Sequence, residues 1–577
     1  MSAASNTLPV AFAGCHGILT FPPSEDRLAT SVLLLRPWGF DELCTRKFFR
    51  ALAERLAAKG MTSLRFDYPG TVDALDPPEG QSLESWLAAA EAGIELLKRQ
   101  SGCKDVVLFG FGLGSFIAGL LADHPSVRSV VHAAPVTSPR RYFRETTLRA
   151  KVIIEGLGLP ETALAKDATS IAGLVMDDRL VSDIKSATTP STTKPSLVVA
   201  RPGIDADQQF SSGLRESGSK IDELSFVGYD RLMEDPTASV IPHTLLDEIA
   251  DWCAESNSRP NRRTENMPPP AAALDGSDFQ EEGHYIGEAP GLYAIECRPR
   301  AITQNAPVFV FLNSGYDHHG GWARAWVDAS RRLAAKGAVS LRVDFANIGD
   351  SGPQDGAPEQ VLYSDGPILD THAILDFLRK RHEGPITLVG RCSGAYTAFH
   401  AAYRDDRISQ LLLCNQVRLI WDPEESLTDP ARMGPRSMGD YKKRFVDPKT
   451  LKRLVTGDIS IPGVLRGLGS HAKTRLSHLL APIFPNISKH ARFRAECHKM
   501  FRALKERDVA MHFVCSDADQ SLEQLALYFG KGQKGLAAYP NTSLMILPGA
   551  DHNLTPRPAR LALFDKLEDL ATARPGT

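Results

Sequence analysis

The segment Ile386–Ala402 restricts the possible folds of this 577-residue chain more than any other. An apolar, β-branched run leads into Gly-Arg-Cys-Ser-Gly at 390–394, and small residues typical of a helix follow. A strand, a sharp turn and a helix with a nucleophile at the apex form a nucleophile elbow. Its glycines let strand and helix approach, since side chains at Gly390 and Gly394 would collide. The positive end of the helix dipole favours a thiolate, so Cys392 is the predicted nucleophile.

An acid and a histidine follow the elbow in the order that such a catalytic triad requires. Asp519 comes after the predicted strand Ala510–Cys515, and His552 comes after the apolar run Met545–Leu547. His552 is predicted to act as general base and acid, and Asp519 is predicted to orient it. Asp517, on the same loop, is the alternative candidate for the acid.

The elbow and this order of residues resemble the α/β-hydrolase superfamily. The Gly-x-Cys-x-Gly box is similar to those of polyhydroxyalkanoate synthases and dienelactone hydrolases rather than to those of serine lipases. The resemblance implies an α/β fold, with a mostly parallel sheet and helices on both faces. It also implies a cap inserted between Cys392 and Asp519, because the 127 positions that separate them exceed what the core needs.

An oxyanion intermediate requires two backbone N–H donors. Ser393, directly after the nucleophile, is expected to supply one. The other is expected from the loop after the predicted strand Val308–Leu312, at Tyr316 or Gly315. The sequence Asp-His-His at 317–319 lacks a third well-spaced ligand, so we predict a polar loop there, with neither a metal nor a cofactor.

The chain is predicted to contain this fold twice. Leu-Ala-Ala-Lys-Gly occurs identically at 56–60 and at 333–337. At the apex of the first-half elbow, Gly112 stands where the second half has its cysteine, so we interpret the first half as a hydrolase fold without hydrolase chemistry. Asp207 is present at the position of the acid, but Ser115 lies three residues past the apex, on the predicted helix.

Two domains and a linker follow from this repeat. Residues 1–254 are predicted to form the degenerate α/β-hydrolase domain. Residues 255–283, rich in Ser, Asn, Pro and charge, are predicted to form a semi-rigid linker. Residues 284–577 are predicted to form the catalytic α/β-hydrolase domain, with a large, mainly helical cap at about 422–508.

The predicted cap is strongly basic. Residues 432–507 contain 18 Lys or Arg against 5 Asp or Glu, although the whole chain has a formal net charge of −3. A basic surface over a cleft attracts anions, so Arg492, Arg494 and Lys499 are candidates for recruiting an anionic substrate. Anionic lipid head groups are a second candidate partner. Nucleic acid is not expected, because no stacking aromatic residues interleave the charge.

The composition is typical of a soluble globular protein, with 43% hydrophobic and 23% charged residues. Nine cysteines without Cys-x-x-Cys spacing argue for a reducing compartment and against a disulfide framework. No run approaches the roughly 20 apolar residues of a membrane span. We therefore predict a cytoplasmic location, with a peripheral position at the inner membrane as the alternative.

Loop motifs in both halves, such as Arg-Pro-Trp-Gly at 36–39 and Gly-Asp-Ser at 349–351, are similar to those of hydrolases associated with exosortase and exopolysaccharide gene clusters. Those hydrolases are encoded beside acyl carrier proteins and acyl-activating ligases. The resemblance therefore implies a carrier-bound or coenzyme A thioester as partner. We predict acyl transfer or hydrolysis at an ester or thioester through an acyl-Cys392 intermediate. Simple carboxylic ester hydrolysis, or a non-catalytic interaction protein of the same fold, is the alternative.

Overall fold

The computed structural model describes residues 6–23, 27–160, 168–188, 191–255, 260–261, 271–315, 317–354, 362–422 and 489–573. These residues form an α/β fold, with mostly parallel strands that alternate with helices. The first half of the sequence provides an eight-stranded sheet and the second half a nine-stranded sheet, so the predicted fold class is confirmed. Most of the predicted cap, residues 423–488, lies outside the described residues.

The strands of the first half are β1 (Asn6–Phe12), β2 (Cys15–Phe21), β3 (Arg27–Leu28), β4 (Thr30–Leu35), β5 (Ser63–Phe66), β6 (Asp105–Phe111), β7 (Val127–Ala133), β8 (Thr169–Ile171), β9 (Leu174–Met176), β10 (Ser196–Ala200), β11 (Ile221–Ser225) and β12 (Pro260–Asn261). The large sheet has the order β1-β2-β5-β4-β6-β7-β10-β11. Its first two pairings are antiparallel and the others are parallel. The central strands β4 and β6 are almost wholly apolar and buried, as expected for parallel strands with helices on both faces.

The helices of the first half are α1 (Phe40–Ala58), α2 (Leu83–Ser101), α3 (Leu113–Leu120), α4 (Pro139–Gly156), α5 (Asp178–Ser186), α6 (Asp205–Glu216), α7 (Tyr229–Leu232) and α8 (His243–Glu255). Helix α2 shows how local sequence sets the ends of a helix. The N–H of Ser85 donates to Ser82 Oγ, and the N–H of Ser82 donates to Ser85 Oγ, which closes a capping box. The helix ends at Gly102, whose φ of 73° is left-handed and favours glycine.

The second half contains strands β13 (Ala273–Asp275), β14 (Phe279–Ile286), β15 (Leu292–Pro299), β16 (Val308–Phe311), β17 (Val339–Val343), β18 (Ile386–Arg391), β19 (Ile408–Cys414), β20 (Ala510–Ser516) and β21 (Thr542–Leu547). Its helices are α9 (Ala325–Ala335), α10 (Gly366–Arg379), α11 (Ser393–Arg404), α12 (Lys489–Glu506), α13 (Gln520–Phe529) and α14 (Arg557–Thr572), with 3-10 turns at Trp322–Arg324 and Lys531–Ala538. Within the described part of the chain, no helix is long and apolar enough to cross a bilayer.

The chain divides into two compact units. The first comprises Met1–Ile154, Glu161–Ile302 and Tyr316–Gln360, and the second comprises Glu155–Pro160, Thr303–Gly315 and Val361–Thr577. The first unit holds the eight-stranded sheet and the antiparallel run β13-β14-β15-β17. The second unit holds the parallel run β16-β18-β19-β20-β21. The domain boundaries inferred from the sequence stay a prediction.

A buried network of charges runs through the first unit and joins residues far apart in the sequence. One centre is Asp350, whose carboxylate accepts from Arg46 Nε at 2.6 Å, Arg65 Nε at 2.8 Å and Arg36 Nη2 at 3.3 Å. Asp350 is 1% exposed, and no more than 4% of any of the three arginines is exposed. Burial opposes ionisation of Asp350, but the three guanidinium groups hold its pKa well below the ordinary value. Glu42 and Asp67 are further buried acids of this cluster and pair with Arg36 and Arg46.

A second centre of the same network is His319. Its Nδ1 lies 2.8 Å from Asp344 Oδ2 and its Nε2 lies 2.6 Å from Asp73 Oδ2. Burial alone would lower the pKa of His319, but the two carboxylates raise it to about 10. Asp73 also binds Arg342, which is fully buried in β17. The Asp-His-His sequence at 317–319, interpreted above as a polar loop, is thus buried, and its last residue belongs to an ionic cluster.

Candidate active site

Cys392 lies at the apex between β18 and α11, in the second unit. Its φ of 52° and ψ of −117° are unusual for a residue with a side chain, and its N–H donates to Cys414 O. A Cβ at position 390 would lie 2.3 Å from backbone atoms of Gly394, and a Cβ at position 394 would lie 2.4 Å from Asn313 O. Both flanking positions therefore require glycine, and the sulfur is held out at the end of the strand.

The structure brings His552 against Asp519. Their Nδ1 and Oδ2 atoms are 2.7 Å apart, and the other oxygen of Asp519 accepts the N–H of Ser521 at 2.8 Å. The Asp519 side chain is 1% exposed and that of His552 is 11% exposed. Asp517, the alternative acid, is exposed. His552 also lies close enough to Cys392 for its charge and hydrogen bonding to lower the pKa of that thiol.

The charges around Cys392 favour its thiolate. Burial alone would raise the pKa of the thiol, but the charge and hydrogen bond of His552 lower it below the ordinary value for cysteine, and Arg391 and Tyr363 act in the same direction. Burial likewise opposes the charged form of His552, whereas Asp519 and the thiolate raise its pKa to about 10. Both shifts favour a thiolate and an imidazolium over the neutral pair.

Two side chains that the sequence analysis did not single out fix the loop that carries His552. Asn415 Nδ2 donates to His552 O at 2.9 Å and to Ser516 Oγ at 3.0 Å. Arg391, the last residue of β18, donates to Asn553 Oδ1. Because Asn415 follows β19, the histidine loop is tied to the same edge of the sheet as the nucleophile. The sequence offered one indication of this role, since Arg391 and Asn415 are polar residues at the ends of two apolar strands.

Of the three residues predicted to donate to the oxyanion, the structure describes Ser393 and Gly315. Ser393 begins α11, where the first N–H groups have no acceptor within the helix, so its amide is available to a ligand. The N–H of Gly315 instead donates to Ser393 Oγ at 2.8 Å and is engaged in this arrangement. Tyr316 lies outside the described residues. A role for Tyr316 stays a prediction.

The Tyr363 side chain lies beside Cys392 Sγ. The sequence did not predict this contact. The Tyr363 hydroxyl lies 4.0 Å from Cys392 Sγ. The ring stacks on Trp421, with 4.7 Å between centroids and an interplanar angle of 15°, and meets the edge of Tyr396 at 5.1 Å. Two aromatic contacts thus hold the hydroxyl near the thiolate.

We expect Tyr363→Phe to raise the pKa of the Cys392 thiol, because the substitution removes a donor to the thiolate and keeps the stacked ring. The rate of alkylation by iodoacetamide should therefore fall at neutral pH and recover at high pH. Measuring that rate across a pH series gives the thiol pKa directly. Tyr396→Phe is the matched control and should leave the profile in place. An unchanged profile in Tyr363→Phe would contradict the assigned contact.

The first-half elbow has the same backbone geometry but different chemistry. Gly112 has φ 54° and ψ −120°, within a few degrees of Cys392. Asp207 is fully buried and is bound by Arg201 rather than by a histidine. Ser115 is buried and lies 3.0 Å from His132 Nδ1, whereas His243 is exposed and contacts Arg55. None of these described residues forms a nucleophile–histidine–acid set.

The basic residues proposed for anion recruitment lie on α12, at the edge of the described segment. Arg492 and Lys499 are exposed and Arg494 is half-buried. The opposite face of the helix is apolar and buried, through Met500 and Leu504 among others. Recruitment of an anion by this helix stays a prediction.

Residues 309–562 match the model of the alpha/beta hydrolase family. This match spans Cys392, Asp519 and His552. No curated protein matches the chain in sequence. The first half lies outside the matched range.

Among solved structures, an alpha-beta serine hydrolase homologue from Coxiella burnetii is 14% identical, with 50% of this chain and 96% of that chain covered and a TM-score of 0.29. Est1E from Butyrivibrio proteoclasticus, solved with ferulic acid, is 14% identical, with 50% and 97% covered and a TM-score of 0.31. Carboxyl esterase 2 from Tuber melanosporum is 11% identical, with 53% and 88% covered and a TM-score of 0.30. Because these sequence identities and TM-scores are low, the three similarities indicate neither the nucleophile nor the substrate of this chain.

Proposed function

We propose that the second half of the chain hydrolyses or transfers the acyl group of an ester or thioester through a covalent intermediate on Cys392. The observation that carries this proposal is a cysteine at a strand-to-helix elbow whose pKa is lowered by His552, which is itself paired with Asp519 at 2.7 Å. A cysteine whose pKa is lowered by its histidine is a better nucleophile for a carbonyl carbon than an ordinary thiol. The match to the alpha/beta hydrolase family supports ester chemistry in general.

In the first step, Cys392 Sγ bonds to the acyl carbon, and the carbonyl electron pair moves onto its oxygen. The amide of Ser393 donates to that oxyanion. When the carbonyl re-forms, the bond to the leaving group breaks, and the leaving group takes a proton from His552. This leaves a neutral imidazole and an acyl-Cys392 thioester. Asp519 keeps the imidazole turned towards the sulfur throughout.

In the second step, water, an alcohol or an amine attacks the thioester carbon. His552 accepts the proton of the attacking group, the acyl product leaves, and the thiolate–imidazolium pair is restored. Water gives hydrolysis, whereas an alcohol or amine gives acyl transfer. A thioester is open to all three acceptors, which is why a cysteine nucleophile suits transfer as well as hydrolysis.

A donor that carries an anionic group, such as an acyl carrier protein or coenzyme A thioester, suits the exposed positive charge of Arg492 and Lys499 on α12. These charges would accelerate encounter rather than the chemical step. A small uncharged ester would react without this assistance.

Mass spectrometry of the acylated protein tests the proposal. After incubation with an S-acyl coenzyme A or a 4-nitrophenyl ester, we expect one acyl group per chain, on the peptide that contains Cys392. Cys392→Ala should abolish both the adduct and turnover. Cys253→Ala is the matched control, because burial raises the pKa of that thiol to about 12. A folded wild-type protein with neither adduct nor turnover would favour the non-catalytic alternative. Adding an alcohol or amine then separates transfer from hydrolysis.

A further inference from the structure

A cavity of about 170 Å³ lies over the Gly112 elbow, within the first unit. Four aromatic residues form much of its wall, namely Trp38, Phe40, Tyr142 and Tyr229. Gly112 also lines it, and a Cβ built there would approach no atom closer than 3.4 Å. The first half has therefore kept an elbow and an open space above it, although it has no nucleophile.

A permanent cation binds the acid of this half. Arg201 Nη2 lies 2.7 Å from Asp207 Oδ1, and Arg201 Nε lies 3.0 Å from Asp207 Oδ2. Arg201 lines the cavity with 22% of its side chain exposed, whereas Asp207 is 0% exposed. A guanidinium stays protonated and cannot act as a general base. In the second half the corresponding partner of the acid is His552, so the two sites differ in chemistry as well as in their nucleophile.

A second guanidinium faces the same cavity. Arg149 Nη1 lies 2.5 Å from Asp41 Oδ1, and its guanidinium stands 4.6 Å from the ring centroid of Phe40. The Arg149 side chain is 34% exposed and that of Asp41 is 17% exposed. Glu145 also lines the cavity but is paired with Arg141 at 2.6 Å. Arg149 and Arg201 are thus each more exposed than the carboxylate that pairs with them, whereas Asp41 and Glu145, the latter 51% exposed, also line the cavity.

We propose that this cavity binds a small carboxylic acid with a single aromatic ring. A cavity of about 150 Å³ holds one benzene ring, so the volume admits a ring with a small substituent. The aromatic wall provides stacking surface, and Arg149 and Arg201 provide charged donors for the carboxylate. The ligand is bound and not converted, since Gly112 stands in place of the nucleophile and Arg201 in place of the histidine. This proposal goes beyond the chemistry at Cys392 and does not depend on it.

Isothermal titration of the full chain with benzoate tests the proposal. We expect saturable binding of one benzoate per chain, and at least tenfold weaker binding of benzamide, which keeps the ring and lacks the charge. Val136→Phe, which adds a ring at the cavity wall and removes no charge, should weaken benzoate binding at least tenfold. Val136→Ala, which enlarges the cavity, should retain binding.

A second readout covers the case in which Val136→Phe does not fold. Benzoate should alter the fluorescence of Trp38, and the change should disappear in Trp38→Phe, which keeps an aromatic wall. The proposal is overturned by equal affinity for benzoate and benzamide, by wild-type affinity in folded Val136→Phe, or by no binding of benzoate up to about 10 mM.

Discussion

Asp519→Asn is expected to lower turnover roughly 10³-fold while leaving the fold intact, by analogy with other triads. The carboxylate of Asp519 accepts the Nδ1–H of His552 at 2.7 Å and is the main group that raises the pKa of the histidine to about 10. An amide carries no charge to stabilise the imidazolium, and its NH₂ group can hold the ring in the wrong tautomer. Both effects lower the fraction of Cys392 that is present as the thiolate, which is the form that attacks the substrate.

The substitution should also change the pH dependence in a defined direction. In the wild type the thiolate–imidazolium pair exists above the depressed pKa of Cys392 and below the raised pKa of His552. Without Asp519 the first pKa rises and the second falls, so the active range narrows from both ends. A profile of kcat/KM against pH measures both limits. Asp517→Asn, at an exposed position of the same loop, is the matched control. A larger loss of kcat/KM in Asp517→Asn than in Asp519→Asn would identify Asp517 as the acid.

Asp350→Asn is expected to lower the free energy of unfolding of the first unit by about 3–5 kcal/mol. The change removes the charge that pairs with Arg65 and one of the several buried carboxylates that pair with Arg36 and Arg46. The folded pKa of Asp350 is depressed, so its contribution to stability is present at neutral pH and is lost as the pH falls through that value. The two proteins should therefore converge in stability under acid conditions.

Urea unfolding at neutral and at acid pH measures this effect. Asp376→Asn is the matched control, because Asp376 pairs with Arg407 at 2.5 Å but has 64% of its side chain exposed. Its loss should change the unfolding midpoint little, since exposed ion pairs contribute little. An equal midpoint for Asp350→Asn and wild type at neutral pH would contradict a stabilising role for the cluster.

Local sequence patterns were sufficient for the parts of the structure that depend on local chemistry. The elbow at Cys392 could be predicted because its apolar run and its glycine spacing both lie within one short segment. Asp519 and His552 could be named because each follows a strand that ends at the same edge of a parallel sheet. The sequence favoured Asp519 over Asp517 as the acid, and in the structure Asp519 pairs with His552 whereas Asp517 is exposed.

Contacts between distant residues could not be predicted in the same way. Tyr363 reaches Cys392 from a loop without a regular pattern. The arginines that pair with Asp350 lie 285 to 314 residues away, and Asp73 lies 246 residues from His319, and charge alone does not say which acid meets which base. One signal was available: Arg65 and Arg342 each carry the only charge of a short strand whose other residues are apolar or serine, where an unpaired charge would be strongly unfavourable.

The distance along the chain between Arg65 and Asp350 has a consequence for biosynthesis. Arg65 is 2% exposed, and its ion pair with Asp350 spans 285 residues. At about 5–20 residues per second, Asp350 is synthesised roughly 15–60 s after Arg65. During that interval the nascent first sheet carries a guanidinium that cannot be buried in its final environment. The emerging N-terminal half is thus expected to stay incompletely packed and open to chaperones on the ribosome until the second half has begun to emerge.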